Sequence, residues 1–425
     1  MKNLLSCFSL FLLLLSPAGA QDLREALKAD PYLASANHHP YIVPEFRDTP
    51  APKGYKPFYV SHYGRHGSRY HTRDAYFAGV DLLDSLRDAG LLTAEGKALC
   101  ADLHLMRDAS DDLYGILTQL GSKEHQGIAE RLYRRVPGVF SQRDRRQVLV
   151  VSSPVHRCLQ SAANFNFAIK AKAPGLDIEL RTGQRYMAYI AHGDHNSAAV
   201  RSTMKHISDS LIHADVRTGK TAARLFTDPS KVREKLGGEQ KLQEFLYDCF
   251  SMGNIARCLD APQADPLSHF TLDELAVFAK IKNAQIAPLY CHSRETGRIV
   301  DRVTGAPLLR DFVEKADEAL RGNGRCADFR FGHDSGIGPL LSIMAVEGYD
   351  ADGPMAEAVN WWPGWKYIPM GSNLQLIFYR KPKGEVLVKV LRNEEETRIA
   401  AVPSFSGPYY KWSDLRSYFL RRIAD

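Results

Sequence analysis

Phe58-Tyr59-Val60-Ser61-His62-Tyr63-Gly64-Arg65-His66-Gly67-Ser68-Arg69 is the stretch that decides how this chain folds. Phe58 to Val60 reads as a buried strand, and it runs into the polar, glycine-bearing turn Gly64-Arg65-His66-Gly67. From Asp74 to Leu92 apolar residues (Phe77, Val80, Leu83, Leu86) recur at helical spacing, so a helix follows. The same pattern occurs twice more. Gln147 to Val151 ends at Ser152-Ser153-Pro154, a helix-start signal, and Val155 to Ala171 continues as helix. Ala327 to Phe331 delivers Gly332-His333-Asp334-Ser335-Gly336 into the apolar helix Ile337 to Val346. Strand-to-helix turns of an open α/β sheet all open on its carboxyl edge, where ligands bind. Three polar clusters far apart in sequence are therefore expected to converge on one pocket.

The expected fold class is α/β, a mostly parallel sheet sandwiched by helices. A late hairpin around Pro382-Lys383-Gly384 joins Asn373–Tyr379 to Glu385–Leu391. Residues 185–300 are helical by pattern and lack strong strands, which predicts an inserted, mainly helical cap domain between α/β parts at 21–184 and 301–425. Residues 1–20 read differently. Lys2, the apolar run Leu4 to Leu15 and the small-residue site Ala18-Gly19-Ala20 describe a secretory signal peptide cleaved after Ala20. The expected location is secreted or periplasmic. No later run approaches the ~20 apolar residues of a spanning helix.

With 425 residues, 44% apolar and 24% charged, the composition is that of a soluble globular protein. A net charge of +6 over this length points to neither nucleic acid nor membrane, but the arginines are clustered. Six cysteines follow Ala20, none in a CxxC pair, so a zinc ribbon is not expected. Cys249 and Cys258 are close enough to staple one local loop.

The clusters carry chemistry. Arg65 and Arg69 bracket His66, and the planar fork of an arginine suits the oxygens of a phosphate. Such cations also disfavour protonation of the histidine between them, keeping an imidazole nitrogen free as a nucleophile in mild acid. Arg157, in a helix first turn, can add a third guanidinium where the helix amides already favour anions. His333 can donate to phosphoryl oxygens, while Asp334 can protonate a leaving group, cap the helix, or do both. This chemistry calls for no cofactor and no metal, because the arginines neutralise the charge.

Together the clusters resemble the histidine phosphatase superfamily, in its acid phosphatase and phytase branch. Arg65-His66-Gly67-Ser68-Arg69 looks like that branch's first motif, Arg157 like its third phosphate-binding arginine, and His333-Asp334 like its second-histidine and proton-donor motif. Leu117-Thr118-Gln119-Leu120-Gly121, with Gly127 and Arg131, and Gly371-Ser372-Asn373-Leu374 are similar too. The resemblance implies that His66 becomes phosphohistidine, that Arg65, Arg69, Arg157 and His333 hold the phosphate, and that Asp334 is the acid. Length, leader and helical insertion look most like bacterial multiple inositol polyphosphate phosphatases. Those enzymes commonly carry His-Ala-Glu where this chain has His333-Asp334-Ser335.

The first motif continues into Tyr70-His71-Thr72-Arg73, and Arg185, His192 and Lys205 lie where the insertion begins. Extra cations suit a polyphosphorylated substrate, so the expected substrate is an inositol polyphosphate such as phytate, with Arg73 among its contacts. The alternatives are a broad-specificity histidine acid phosphatase, a phosphate- or polyanion-binding protein without turnover, and a cytoplasmic phosphomutase of the same superfamily. Three other motifs are set aside. Gly219-Lys220-Thr221 has Ala214 where a phosphate loop needs its first glycine, and no strand precedes it. His192-Gly193-Asp194-His195 is read as loop rather than metal ligands, and Trp361-Trp362-Pro363-Gly364-Trp365 as buried packing rather than an aromatic platform.

Overall fold

Eight strands form one mixed sheet in the computed structural model, which describes residues 18–190, 198–291, 304–322, 324–349 and 353–424. They are β1 (Lys56–Arg65), β2 (Gln147–Ser152), β3 (Asp177–Thr182), β4 (Arg325–Gly332), β5 (Asn373–Arg380), β6 (Leu387–Arg392), β7 (Glu395–Glu396) and β8 (Tyr409–Lys411). Their order is β3-β2-β4-β1-β5-β6-β7, with β8 also pairing β6. The expectation of a mostly parallel sheet holds for one half only. β3, β2, β4 and β1 are parallel neighbours, whereas β5 runs antiparallel to β1, and β6 to β5. The first four strands are joined through helical crossovers, and β5 also follows β4 through a helical connection. The short link after β5 permits only a hairpin, so β6 runs antiparallel to it.

The central strands are apolar on both faces because helices cover both. Val60, Val148, Val150, Phe329 and Ile377 pack under helices Gln119–Arg135 and His156–Lys172. Tyr59, Tyr63, Leu374 and Leu376 face helices Ala306–Leu320, Asp334–Ile343 and Trp412–Ala424 on the other side.

Between 184 and 290 the described residues are helical, as the pattern predicts, but no separate cap domain is apparent. Leu242, Phe245, Phe250, Leu275 and Phe278 share a continuous core with Leu27, Tyr32, Phe77, Leu83 and Leu99. The amphipathic helices before β2 thus bury their apolar stripes against the later ones, and neither set closes a core alone. Residues 1–17 and His192-Gly193-Asp194-His195 lie outside the described residues. The expected cleavage point after Ala20 falls in the first turn of helix Ala18–Ala29. No described helix is long and apolar enough to cross a membrane.

Cys249 and Cys258 do not pair, and all six described cysteines are buried free thiols. Cys249 points into the core from helix Glu239–Gly253, while the Cys258 thiol donates to the His38 carbonyl at 3.1 Å. Trp362 is fully buried, in keeping with a packing role.

Two histidines lie buried beneath the carboxyl edge of the parallel strands. His62 of β1 stacks on Phe165 at 5.0 Å and His125 meets Phe331 edge-on at 5.7 Å. Burial lowers the His125 pKa to about 3, against a weaker upward pull from the Arg65 backbone. The folded protein keeps this ring neutral, while the unfolded chain protonates it below about 6.5. Stability is therefore lost as pH falls from about 6.5 toward 3, by roughly 2–3 kcal/mol from this one group at pH 4.5. His125→Leu should remove about that much from the difference between urea unfolding free energies at pH 7 and pH 4.5. An unchanged difference would assign the acid sensitivity to other groups.

Candidate active site

The three parallel strands β1, β4 and β2 end level with one another. Arg65 is in register with Gly332, and Ser152 with Phe331. The His66 amide donates to the Gly332 carbonyl at 2.9 Å and the Ser153 amide to the Phe331 carbonyl at 2.9 Å, so the ladder persists into the turns. His66, Ser153 and His333 consequently leave the sheet side by side. Helices His156–Lys172 and Asp334–Ile343 begin there, and neither has a side-chain cap. Two helix N-termini thus favour an anion at this edge.

The first motif is held from behind. Buried Glu124 accepts from the Ser68 amide and hydroxyl, both at 2.7 Å, and from the Tyr41 amide at 2.9 Å. Helix Gln119–Arg135 can approach because glycines meet: a Cβ on Gly121 would lie 2.2 Å from the Ser68 carbonyl. On the other flank, the Gly371 amide donates to the His66 carbonyl and the Arg65 amide to the Ser372 carbonyl.

His66 is 2% exposed, and its Nδ1 lies 3.0 Å from the Gly67 carbonyl. A carbonyl only accepts, so the proton sits on Nδ1 and Nε2 keeps its lone pair. Burial, then Arg157, Arg65, Arg69 and His333, hold the imidazole pKa well below its ordinary value. The ring therefore stays neutral in mild acid.

The arginines are only partly satisfied by protein. Arg65 is fully buried and donates Nη1 to the carbonyls of Asn37 and Ile368, both at 2.7 Å, while Nη2 pairs with Asp334 at 2.8 Å. The Nε atoms of Arg65, Arg69 and Arg157 are buried and have no acceptor among the described residues. Buried unpaired donors are costly, and three of them around one imidazole fit the oxygens of a phosphoryl group. Arg157 also donates to His333 Nδ1 at 3.3 Å, and the His333 Nε2 meets the Ser153 hydroxyl at 3.0 Å. The His66 and His333 rings lie 5.6 Å apart, centre to centre.

Asp334 is not the helix cap, a position occupied by His333. Its Oδ1 accepts from the Ser335 amide at 3.0 Å, while Oδ2 faces Arg65 and the Asn37 side-chain amide at 3.1 Å. Burial raises its pKa, but Arg65, His333, Arg69 and Asn37 outweigh burial and bring it to about 2. At rest the carboxyl is ionised.

A cavity of about 510 Å³ opens beside the cluster, lined among others by Asn37, Arg69, Asp334, Tyr247, Lys282 and Tyr290. Lys282 is a residue that sequence reasoning missed. Burial, then Arg69, lower its pKa to about 8. Asn37, also missed, is 4% exposed and follows Ala36, whose φ of 50° is rare for a residue with a Cβ. A lysine on an apolar helix face was the only sequence signal for the first, and the second had none. The outer cations are placed otherwise. Arg73 is exposed and lies over the ring of Tyr76 at 5.4 Å; Tyr76 lines the cavity and Arg73 does not. Arg185 is exposed, Lys205 pairs with Asp209 at 2.5 Å, and neither lines the cavity. Gly219-Lys220-Thr221 borders a separate cavity of about 810 Å³ that holds none of the clustered residues.

The chain is similar to multiple inositol polyphosphate phosphatases and phytases, which are histidine-acid-phosphatase-like hydrolases. It is 23% identical over 382 residues to multiple inositol polyphosphate phosphatase 1 of Gallus gallus, covering 84% of this chain and 79% of that protein. The structure of the Bifidobacterium longum multiple inositol polyphosphate phosphatase, in complex with inositol hexasulfate, superposes with a TM-score of 0.73 at 21% identity, covering 91% of this chain and 97% of that one. The phytase from D. castellii superposes with a TM-score of 0.69 at 15% identity, covering 97% and 90%. No family model matches the chain.

Proposed function

We propose that this chain is an exported phosphomonoesterase that hydrolyses inositol polyphosphates such as phytate through a phosphohistidine at His66. The observation that carries the reading is the free Nε2 of His66 among three arginines whose buried Nε donors lack acceptors among the described residues. The apolar leader at residues 1–20 supports export, to the periplasm or beyond. The helical stretch 185–300 acts in this reading as a cap insertion over α/β phosphatase parts 21–184 and 301–425.

The steps balance as follows. Arg65, Arg69, Arg157 and His333 hold the phosphoryl oxygens, and His66 Nε2 attacks phosphorus while the bond to the leaving oxygen breaks. The dianion engages Arg65 and places negative charge beside Asp334, which lifts the carboxyl pKa from its resting value. Asp334 is then protonated when the leaving oxygen needs the proton. The resulting carboxylate takes a proton from water, whose oxygen attacks the phosphohistidine and releases phosphate.

Lys282 across the cavity suits a second phosphate on the same substrate. It carries its charge below about pH 8, so affinity for a polyphosphate should weaken as pH rises through that value. The test compares kcat/KM for phytate and for a simple sugar phosphate at low and moderate salt, in wild type and Lys282→Met. Phytate should be preferred and its kcat/KM should fall steeply with salt. Lys282→Met should cost phytate about tenfold or more, as expected for a lost charge-assisted contact, and the sugar phosphate about twofold or less. Equal losses, or phytate as the poorer substrate throughout, would instead establish a broad-specificity acid phosphatase.

A further inference from the structure

Helices Ala78–Asp88 and Ala94–Ser110 pack against each other on the helical side of the molecule, away from the phosphate cluster. Cys100 and His104 are four residues apart and share one helix face, opposite Asp84 on the neighbouring helix. One oxygen of Asp84 gathers the surrounding donors. Its Oδ1 lies 2.8 Å from His104 Nε2, 3.7 Å from Cys100 Sγ and 2.6 Å from Arg87 Nη1. The ligand atoms of Asp84, Cys100 and His104 all fall within 4.8 Å of one another.

We infer that Asp84, Cys100 and His104 form a binding site for a divalent cation of the zinc class. Zinc bonds of about 2.0–2.3 Å in a tetrahedron place ligand atoms roughly 3.3–3.6 Å apart. The thiol–carboxylate spacing already matches, and the imidazole–carboxylate spacing needs to open by about half an ångström. A thiolate, an imidazole and a carboxylate together suit zinc rather than magnesium or calcium, which take oxygen ligands. A cavity of about 440 Å³ lined by Cys100, His104 and Asp108 runs alongside and gives a path for the ion and a water as fourth ligand. Arg87 competes for Asp84, but its side chain is 43% exposed and also pairs with Asp88 at 3.2 Å, so it has a partner to keep when the ion enters.

The bound ion ties two helices whose Leu83, Leu86, Leu99 and Leu103 belong to the shared helical core. Its role is structural, and the site does not rest on the phosphatase reading.

The test uses the full chain stripped of metal and titrated with Co²⁺, then Zn²⁺, with no phosphate ester present. One equivalent of Co²⁺ should give a near-ultraviolet thiolate-to-cobalt band that one equivalent of Zn²⁺ abolishes, and Zn²⁺ should raise Tm. Cys100→Ser should lose the band. His104→Gln, at a partly exposed position, should bind at least tenfold more weakly. Turnover by folded protein should be equal with and without Zn²⁺. Absence of the band in wild type, or its survival in Cys100→Ser, overturns the site. So does unchanged affinity in His104→Gln, which decides the matter even where Cys100→Ser does not fold.

Discussion

His66→Ala should lower turnover of every phosphate ester by on the order of 10⁴-fold or more, as expected for removal of a covalent nucleophile. The wild-type protein, quenched during turnover of labelled substrate, should carry phosphoryl label that is lost in acid and survives in base, as a phosphorus–nitrogen bond requires. His66→Ala should carry none. The ring sits between buried arginines and donates Nδ1 to a backbone carbonyl, so only Nε2 is available for attack. Because burial and those cations keep it neutral, the labelling rate should stay level through mildly acidic pH rather than fall near 6.5. Label that survives acid, or label in His66→Ala, would place the nucleophile elsewhere. Chelators should leave the labelling unchanged, because the charge is met by guanidinium groups.

Asp334→Asn should cost about 10²- to 10⁴-fold on an alkyl phosphate and much less on nitrophenyl phosphate, whose leaving group needs little help from an acid. Asparagine keeps the shape, and its oxygen can still accept from the Ser335 amide, so the helix start should survive. The pair with Arg65 is lost, which frees that fork for phosphate. KM should therefore hold or fall while kcat drops, a split that distinguishes proton transfer from binding. Equal losses on the two esters would mean that Asp334 only orders the loop.

The strands that build the site were readable because each is an apolar run ending abruptly in glycine, arginine, serine or histidine. β3 was not. Asp-Ile-Glu-Leu-Arg-Thr at 177–182 lies on the sheet edge with most of its residues exposed, so it carries no core-facing run. The antiparallel half of the sheet was only partly visible, since a hairpin shows that β5 and β6 pair but not that β5 lies against β1. The Cys249–Cys258 expectation failed because nearness in sequence says nothing of direction, and the two thiols face different neighbours. Asn37 lies 297 residues from the carboxylate it touches. Lys282 belongs to the cavity only because helix Leu272–Tyr290 is turned toward Arg69 and Asp334. Contacts of this kind arise from tertiary packing and leave no local pattern.

The position of β4 has a consequence for the order of events during synthesis. β4 comes late in the chain yet lies between β1 and β2, which are made far earlier. Until residue 332 has emerged, β1 and β2 have no strand to pair between them, and the two halves of the anion cradle stay apart. A nascent chain therefore carries the histidine and all three arginines for a long interval without being able to bind phosphate tightly or to react with it. Folding must close a loop of more than 250 residues before the central pairing forms, a slow event for a chain rich in distant contacts. The anion cradle is among the last parts to be completed, so a nascent polypeptide is inert toward phosphate esters until β4 has paired.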